Sequence, residues 1–117
     1  MKLLLVDDSA TMRRIQKTQL TTMGITDIDE AGNGEDALTK LSQATFDVVL
    51  LDWNMPVMDG LTCLQNIRKN GAYSKIKVVM CTSESEKAKV MEALKAGASN
   101  YIVKPFTPEA LKEKLGL

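Results

Sequence analysis

The chain of 117 residues carries 15 basic and 15 acidic side chains, no histidine and a pI of about 6.3, so it has room for one hydrophobic core and no excess positive charge for a nucleic-acid face. Cys63 and Cys81 fall in apolar surroundings without Cys-x-x-Cys spacing, which argues against a zinc site and makes both small buried side chains of a reducing cytoplasm. The apolar opening Leu3-Leu4-Leu5-Val6 is cut at Asp7-Asp8, too short for a signal peptide, and no later stretch is long enough for a membrane span, so a monomeric single domain over residues 1–117 is expected, with neither membrane nor nucleic acid as partner.

Lys2 to Val6 reads as a buried strand followed directly by Asp7-Asp8-Ser9. A helix then runs from Ala10 to Met23, with Ser9 as N-cap, Met12, Ile15, Leu20 and Met23 on one face, Arg13, Arg14 and Lys17 toward water, and Gly24 as the stop. Asp27 to Ala31 is a poorer strand whose acids suit an exposed edge. Asn33-Gly34 opens a second helix with Ala37, Leu38 and Leu41 as its apolar stripe. Phe46 to Leu51 is a third strand, apolar from Val48 and fit for burial on both faces of a parallel sheet; Asp52 ends it. Pro56 and Gly60 mark an irregular loop in which carbonyls near Asn54 are open to a ligand, and Leu61, Leu64 and Ile67 define a third helix that fades by Gly71.

Ile76 to Met80 forms a fourth strand ending in Cys81-Thr82-Ser83. The next helix, about Glu84 to Ala96, places Val90, Met91 and Leu94 inward and stops at Gly97. Tyr101 to Val103 is a short fifth strand followed by Lys104-Pro105, and Thr107-Pro108-Glu109 is a strong helix start, with a capping hydroxyl, proline at the first position and an early acid. Trp53 is expected at the surface beside Asp52; the methionines read as core filler, Met91 also suiting an adaptable surface; Lys87, Lys89, Lys112 and Lys114 form a solvated face. Strands alternating with helices predict an α/β fold, a doubly wound parallel sheet with helices on both faces, the segments around residues 3, 48 and 78 central and those around 28 and 102 at the edges.

In such a sheet every strand ends at the same edge, where α/β folds place their ligands, so Asp7, Asp8, Asp52, Thr82 and Lys104 converge there. Three clustered carboxylates repel by roughly 4 kcal/mol per pair at about 4 Å and an effective dielectric near 20. Lys104 alone cannot balance them; a hard divalent cation can, and oxygen donors without histidine or thiolate suit Mg²⁺. With Mg²⁺, a carboxylate, a lysine and a hydroxyl together, phosphoryl transfer is the reaction the groups serve: Asp52 attacks phosphorus, Mg²⁺ and Lys104 neutralise the equatorial oxygens, and Thr82 hydrogen-bonds one of them.

Val6-Asp7-Asp8-Ser9, Leu51-Asp52-Trp53-Asn54-Met55-Pro56, Cys81-Thr82-Ser83 and Ile102-Val103-Lys104-Pro105-Phe106 resemble the motifs of response regulator receiver domains, over essentially the whole chain. Ser9 to Ile15, Asp52 to Pro56 and Ala96 to Tyr101 are most similar to the single-domain chemotaxis members; Ser83 stands where those usually carry alanine. The resemblance implies a flavodoxin-like fold of five strands in the order 2-1-3-4-5 with five helices. It implies that Asp52 accepts phosphate from a histidine kinase, that Asp8, Asp52 and the Asn54 carbonyl hold Mg²⁺ directly with Asp7 acting mainly through water, and that Thr82 and Tyr101 are a switch pair. Lys104 would contact the phosphate, with a cis bond before Pro105, and the signal would leave through the helix 4, strand 5, helix 5 face to a flagellar motor switch protein, with a phosphatase as a further partner. On this reading the chain is no enzyme beyond its own phosphorylation and dephosphorylation. The enzymatic rival is a Mg²⁺-dependent phosphatase of haloacid dehalogenase type, which has Asp-x-Asp after its first strand where this chain has adjacent acids. A flavodoxin-like cofactor binder lacks its Gly- or Thr-rich phosphate loop.

Overall fold

Residues 3 to 6, 48 to 51 and 78 to 80 are buried almost completely. Runs of branched apolar side chains such as these form strands only where a sheet is covered on both faces. The computed structural model, which describes residues 1–83 and 87–117 apart from the Lys87 side chain, contains one such sheet. In chain order the elements are β1 (Lys2–Val6), α1 (Ala10–Thr22), β2 (Asp27–Ala31), α2 (Gly34–Gln43), β3 (Val48–Asp52), α3 (Gly60–Lys69), a single 3-10 turn (Gly71–Tyr73), β4 (Lys77–Thr82), α4 (Lys87–Lys95), β5 (Asn100–Val103) and α5 (Pro108–Leu115). All strand pairs are parallel and the order is β2-β1-β3-β4-β5, so the two poorer strands lie at the edges and the apolar ones at the centre, as predicted.

Alternation along each strand divides the core in two. Leu4, Val6, Val49, Leu51, Val78 and Met80 meet Ala37, Leu41, Cys63, Leu64, Ile67 and Ala93 of α2, α3 and α4. Leu3, Leu5, Leu50, Val79 and Ile102 meet Leu20 of α1 and Leu111 and Leu115 of α5 on the other face. Both cysteines are buried, and burial pushes the Cys63 thiol up to about 12, as expected of structural side chains. The predicted caps form: Ser9 accepts from the Met12 amide at 3.2 Å and Thr107 from the Ala110 amide at 3.1 Å. Gly97 ends α4 with a positive φ of 103°, which a side chain would strain.

Several expectations are corrected. On α1 the buried residues are Gln16 and Leu20, while Ile15 is 48% exposed, because the helix turns its Gln16 side toward the sheet. On α4, Met91 and Leu94 are 44% and 42% exposed and Val90 is half-buried, whereas Ala93 is buried; the short helix lies close to the sheet on its small residue and leaves the large ones outside. The expected start of that helix at Glu84 lies outside the described residues. Trp53 is buried in the core with the α2–α4 side instead of lying at the surface. Strands β3 and β4 run on through Asp52 and Thr82, since their amides and carbonyls still find ladder partners there: Asp52 pairs with Cys81 and Thr82 with Val103. Arg13 is not turned to water; its side chain is ion-paired and only 20% exposed.

Candidate functional site

The carboxyl ends of β1, β3, β4 and β5 meet at one edge of the sheet, and the predicted residues stand there. Asp7 follows β1 and is buried: its amide donates to the Ala31 carbonyl at 3.2 Å, and its Oδ1 accepts from the Ser9 amide at 2.9 Å. Asp52, the last residue of β3, is also buried. Lys104 follows β5, held by its amide to the Thr82 carbonyl at 2.7 Å, and the Lys104–Pro105 bond is cis. Its Nζ lies 2.8 Å from Asp7 Oδ2 and 2.9 Å from Asp52 Oδ1, bridging two residues 45 positions apart in the chain. Asp8 is exposed, yet one carboxylate oxygen from each of Asp7, Asp8 and Asp52 lies within 4.8 Å of the others. Asn54 is exposed two residues beyond Asp52, and its carbonyl takes no backbone hydrogen bond among the described residues.

Electrostatics make the cluster unstable as a set of bare acids. Burial pushes the Asp52 carboxyl above the ordinary range, Asp7 and Asp8 push the same way, and the Lys104 hydrogen bond and charge oppose them without prevailing. For Lys104, burial pulls the ammonium down, but the hydrogen bonds it donates to Asp52 and Asp7, with their negative charge, outweigh it and the net shift is upward. One lysine thus serves two of three acids, and among the described residues Asp8 has no ion-pair partner. The donors are hard oxygens, close together and open on the Asp8 side, which fits Mg²⁺ with several waters retained and does not fit a soft metal.

Thr82 ends β4, is buried, and stands two residues beyond Met80, which pairs with Tyr101. Strand alternation puts the Thr82 and Tyr101 side chains on the same face of neighbouring strands. Tyr101 is half-buried against that core, and the Lys114 ammonium lies 4.7 Å over its ring. On the other flank the Lys89 ammonium lies 5.3 Å over the Trp53 ring, so the residue after Asp52 is clasped by α4.

Sequence reading missed how the loop after Asp52 is held. Gly60 marks a turn on paper; in the fold its amide donates to the Trp53 carbonyl at 2.8 Å, and a Cβ there would collide with the Asp52 carbonyl oxygen. Nothing in one sequence separates a glycine needed for close approach from one needed for a turn. Val57, 79% exposed with φ of 70°, holds a conformation rare for a β-branched residue, and that too is invisible from composition.

Comparison with known proteins then decides the lineage. The response regulator receiver domain profile matches residues 3–116. The chain belongs to that family. Receiver domains similar to it include chemotaxis protein CheY1 of Helicobacter pylori, 52% identical over 116 residues that cover 98% of this chain and 94% of the relative. The chemotaxis protein CheY homologue of Campylobacter jejuni is 51% identical, covering 98% of this chain and 89% of the relative. Among solved receiver structures, Vibrio cholerae CheY4 superposes with a TM-score of 0.90 at 37% identity, over 97% of this chain and 94% of that one. CheY in the Borrelia burgdorferi CheX–CheY complex with BeF₃ and Mg²⁺ gives 0.91 at 32% identity, over 98% and 86%.

Proposed function

We propose that the chain is a phosphorylation-activated response regulator of a two-component system, a binding module that takes a phosphoryl group on Asp52 from a histidine kinase in a Mg²⁺-dependent reaction. The observation that carries this is the convergence of Asp7, Asp8 and Asp52 with the Lys104 ammonium between two of them. Asp8, Asp52 and the Asn54 carbonyl would hold the metal directly and Asp7 would act mainly through water. The bound ion supplies positive charge against the phosphoryl oxygens.

The steps fall to this chain's own groups. An Asp52 carboxylate oxygen forms the new bond to phosphorus as the bond to the donor nitrogen breaks, and that electron pair leaves with the histidine. Asp52 enters the reaction ionised when cationic charge offsets the burial that raises its pKa. Lys104 exchanges its bridge to Asp52 for a phosphoryl oxygen, and the Thr82 hydroxyl donates to another. The acyl phosphate, at about −2 in place of the carboxylate's single charge, then biases the loop after β4 and the α4–β5–α5 face, with Tyr101 following Thr82.

The names of the relatives support chemotaxis as the setting; the flagellar motor switch as target, the cytoplasm as compartment and a phosphatase that ends the signal complete the proposed reading. The chain catalyses nothing else on this reading. Incubation with acetyl phosphate and Mg²⁺, followed by intact mass, tests it. One phosphoryl adduct is expected in wild type and none in Asp52→Asn or with EDTA. Sustained turnover of aryl phosphates would instead identify a phosphatase.

A further inference from the structure

Arg13 stands in the first turn of α1, where a cation opposes both the helix dipole and any metal held by the neighbouring acids. Its guanidinium is nevertheless fixed there by two hydrogen bonds. Nη1 donates to the Asp7 backbone carbonyl at 2.6 Å, and Nε donates to Glu30 Oε1 at 3.0 Å. Glu30 sits on the neighbouring edge strand, with Lys17 Nζ 3.5 Å from its other oxygen. The Asp7 amide is tied to the Ala31 carbonyl, so the backbone of Asp7 is clamped on both sides, once by β2 and once by Arg13.

The second clamp matters for Asp8. Peptide planarity couples the Asp7 carbonyl to the Asp8 amide, so holding the first sets the direction in which Asp8 leaves the strand. Asp7 and Asp52 have Lys104 to orient their carboxylates. Asp8 is exposed, and among the described residues no hydrogen bond or ion pair holds its side chain. Its approach to the other two acids therefore rests on its backbone.

We propose that Arg13 is a positioning residue for the metal site: its fork holds the Asp7–Asp8 peptide so that the Asp8 carboxylate joins those of Asp7 and Asp52, and Glu30 offsets the charge the fork brings. The inference rests on the Mg²⁺ reading above. Its test has a sign. Acting through charge alone, Arg13 repels the ion, so removing it would tighten Mg²⁺ binding; acting through position, removing it weakens binding.

Mg²⁺ affinity is measured by titrating Trp53 emission and by calorimetry, at fixed ionic strength, beside thermal unfolding. Arg13→Lys keeps the charge and loses the planar fork; it and Arg13→Ala are each expected to weaken Mg²⁺ by about 10-fold, the scale of lost orienting contacts around a metal site. Glu30→Gln is expected to weaken it by a smaller factor that fades at high salt, because only charge is unmasked. Leu115→Ala, a core loss at the opposite end of the sheet beside Lys77, is expected to lower stability without changing Mg²⁺ affinity. Wild-type affinity in Arg13→Lys, or tighter binding in Arg13→Ala, overturns the proposal. Should wild type itself show no Mg²⁺ response, the phosphoryl-transfer reading falls first and this inference with it.

Discussion

Asp52 carries a tension that decides its chemistry. Burial raises its pKa first, the Lys104 contact answers it, and Asp7 and Asp8 add to the raise, so the charged form is less favourable in the fold than in the unfolded chain. A carboxyl whose pKa is raised on folding contributes stability below its ordinary pKa and loses it as pH climbs through the raised value. In EDTA at neutral pH, Asp52→Asn is therefore expected to be more stable than wild type, by about 1 kcal/mol, a common size for a single substitution. The gap should close as pH falls toward the ordinary carboxylate value. Urea melts at several pH values measure it, and a variant less stable than wild type at neutral pH would show that the Lys104 contact outweighs desolvation. This residue was legible in the sequence because a carboxylate ending a run of four buried apolar residues has few structural reasons to be there. Arg13 was not legible: charged residues on a helix are ordinarily solvated, and its contacts are to a backbone carbonyl and to an acid 17 positions away.

The elements differ in how far their patterns betray them. β1, β3 and β4 declare themselves by apolar runs and α5 by Thr107-Pro108-Glu109, so the bounds of β1 and the start of α5 are legible to the residue and the ends of β3 and β4 to within two. α1 lies where its pattern predicts, and α4 does so within the described residues, but apart from Leu20 their inward faces are misjudged, since hydrophobicity weighting passes over a buried Gln16 and a buried Ala93. Among the described residues Gln16 Nε2 is buried without a hydrogen-bond partner, a cost that a search for apolar faces does not anticipate. For α4, Met91→Gln and Leu94→Gln are expected to change stability by no more than about 0.5 kcal/mol, while Ala93→Leu, forced against the sheet, should cost about 1–3 kcal/mol. Chemical denaturation separates the two classes, and a large loss in the glutamine variants would restore the inward face first expected. The loop between β3 and α3 depends on Gly60 in the same way. Gly60→Ala drives a Cβ into the Asp52 carbonyl, and a loss of about 2–3 kcal/mol with weakened Mg²⁺ binding is expected from urea melts and Trp53 titration. Wild-type behaviour in that variant would mean that the close approach is not what holds the loop.

At the scale of the whole molecule, a parallel sheet gathers the ends of four strands, and sequence separation ceases to matter: Asp7, Asp52, Thr82 and Lys104 become neighbours because β1, β3, β4 and β5 all end on one side. The proposed signal would leave by the same geometry, since Thr82 stands at that edge and Tyr101, on the same face of the neighbouring strand, meets Lys114 of α5. Thr82→Ala is accordingly expected to bind Mg²⁺ nearly as wild type does and to lose partner affinity after phosphorylation, as read by titrating the proposed partner, a flagellar motor switch protein. Equal affinity in both would separate the site from the face. The central claim is that acids from separate strands share one Mg²⁺ and make Asp52 the phosphoryl acceptor. Its most direct measurement is to treat the acetyl phosphate-reacted chain with borohydride, which reduces an acyl phosphate to an alcohol, and to sequence the peptides by mass spectrometry. Reduction confined to Asp52 and dependent on Mg²⁺ is the predicted result; modification at Asp7 or Asp8, or the same yield with the metal chelated, would contradict it.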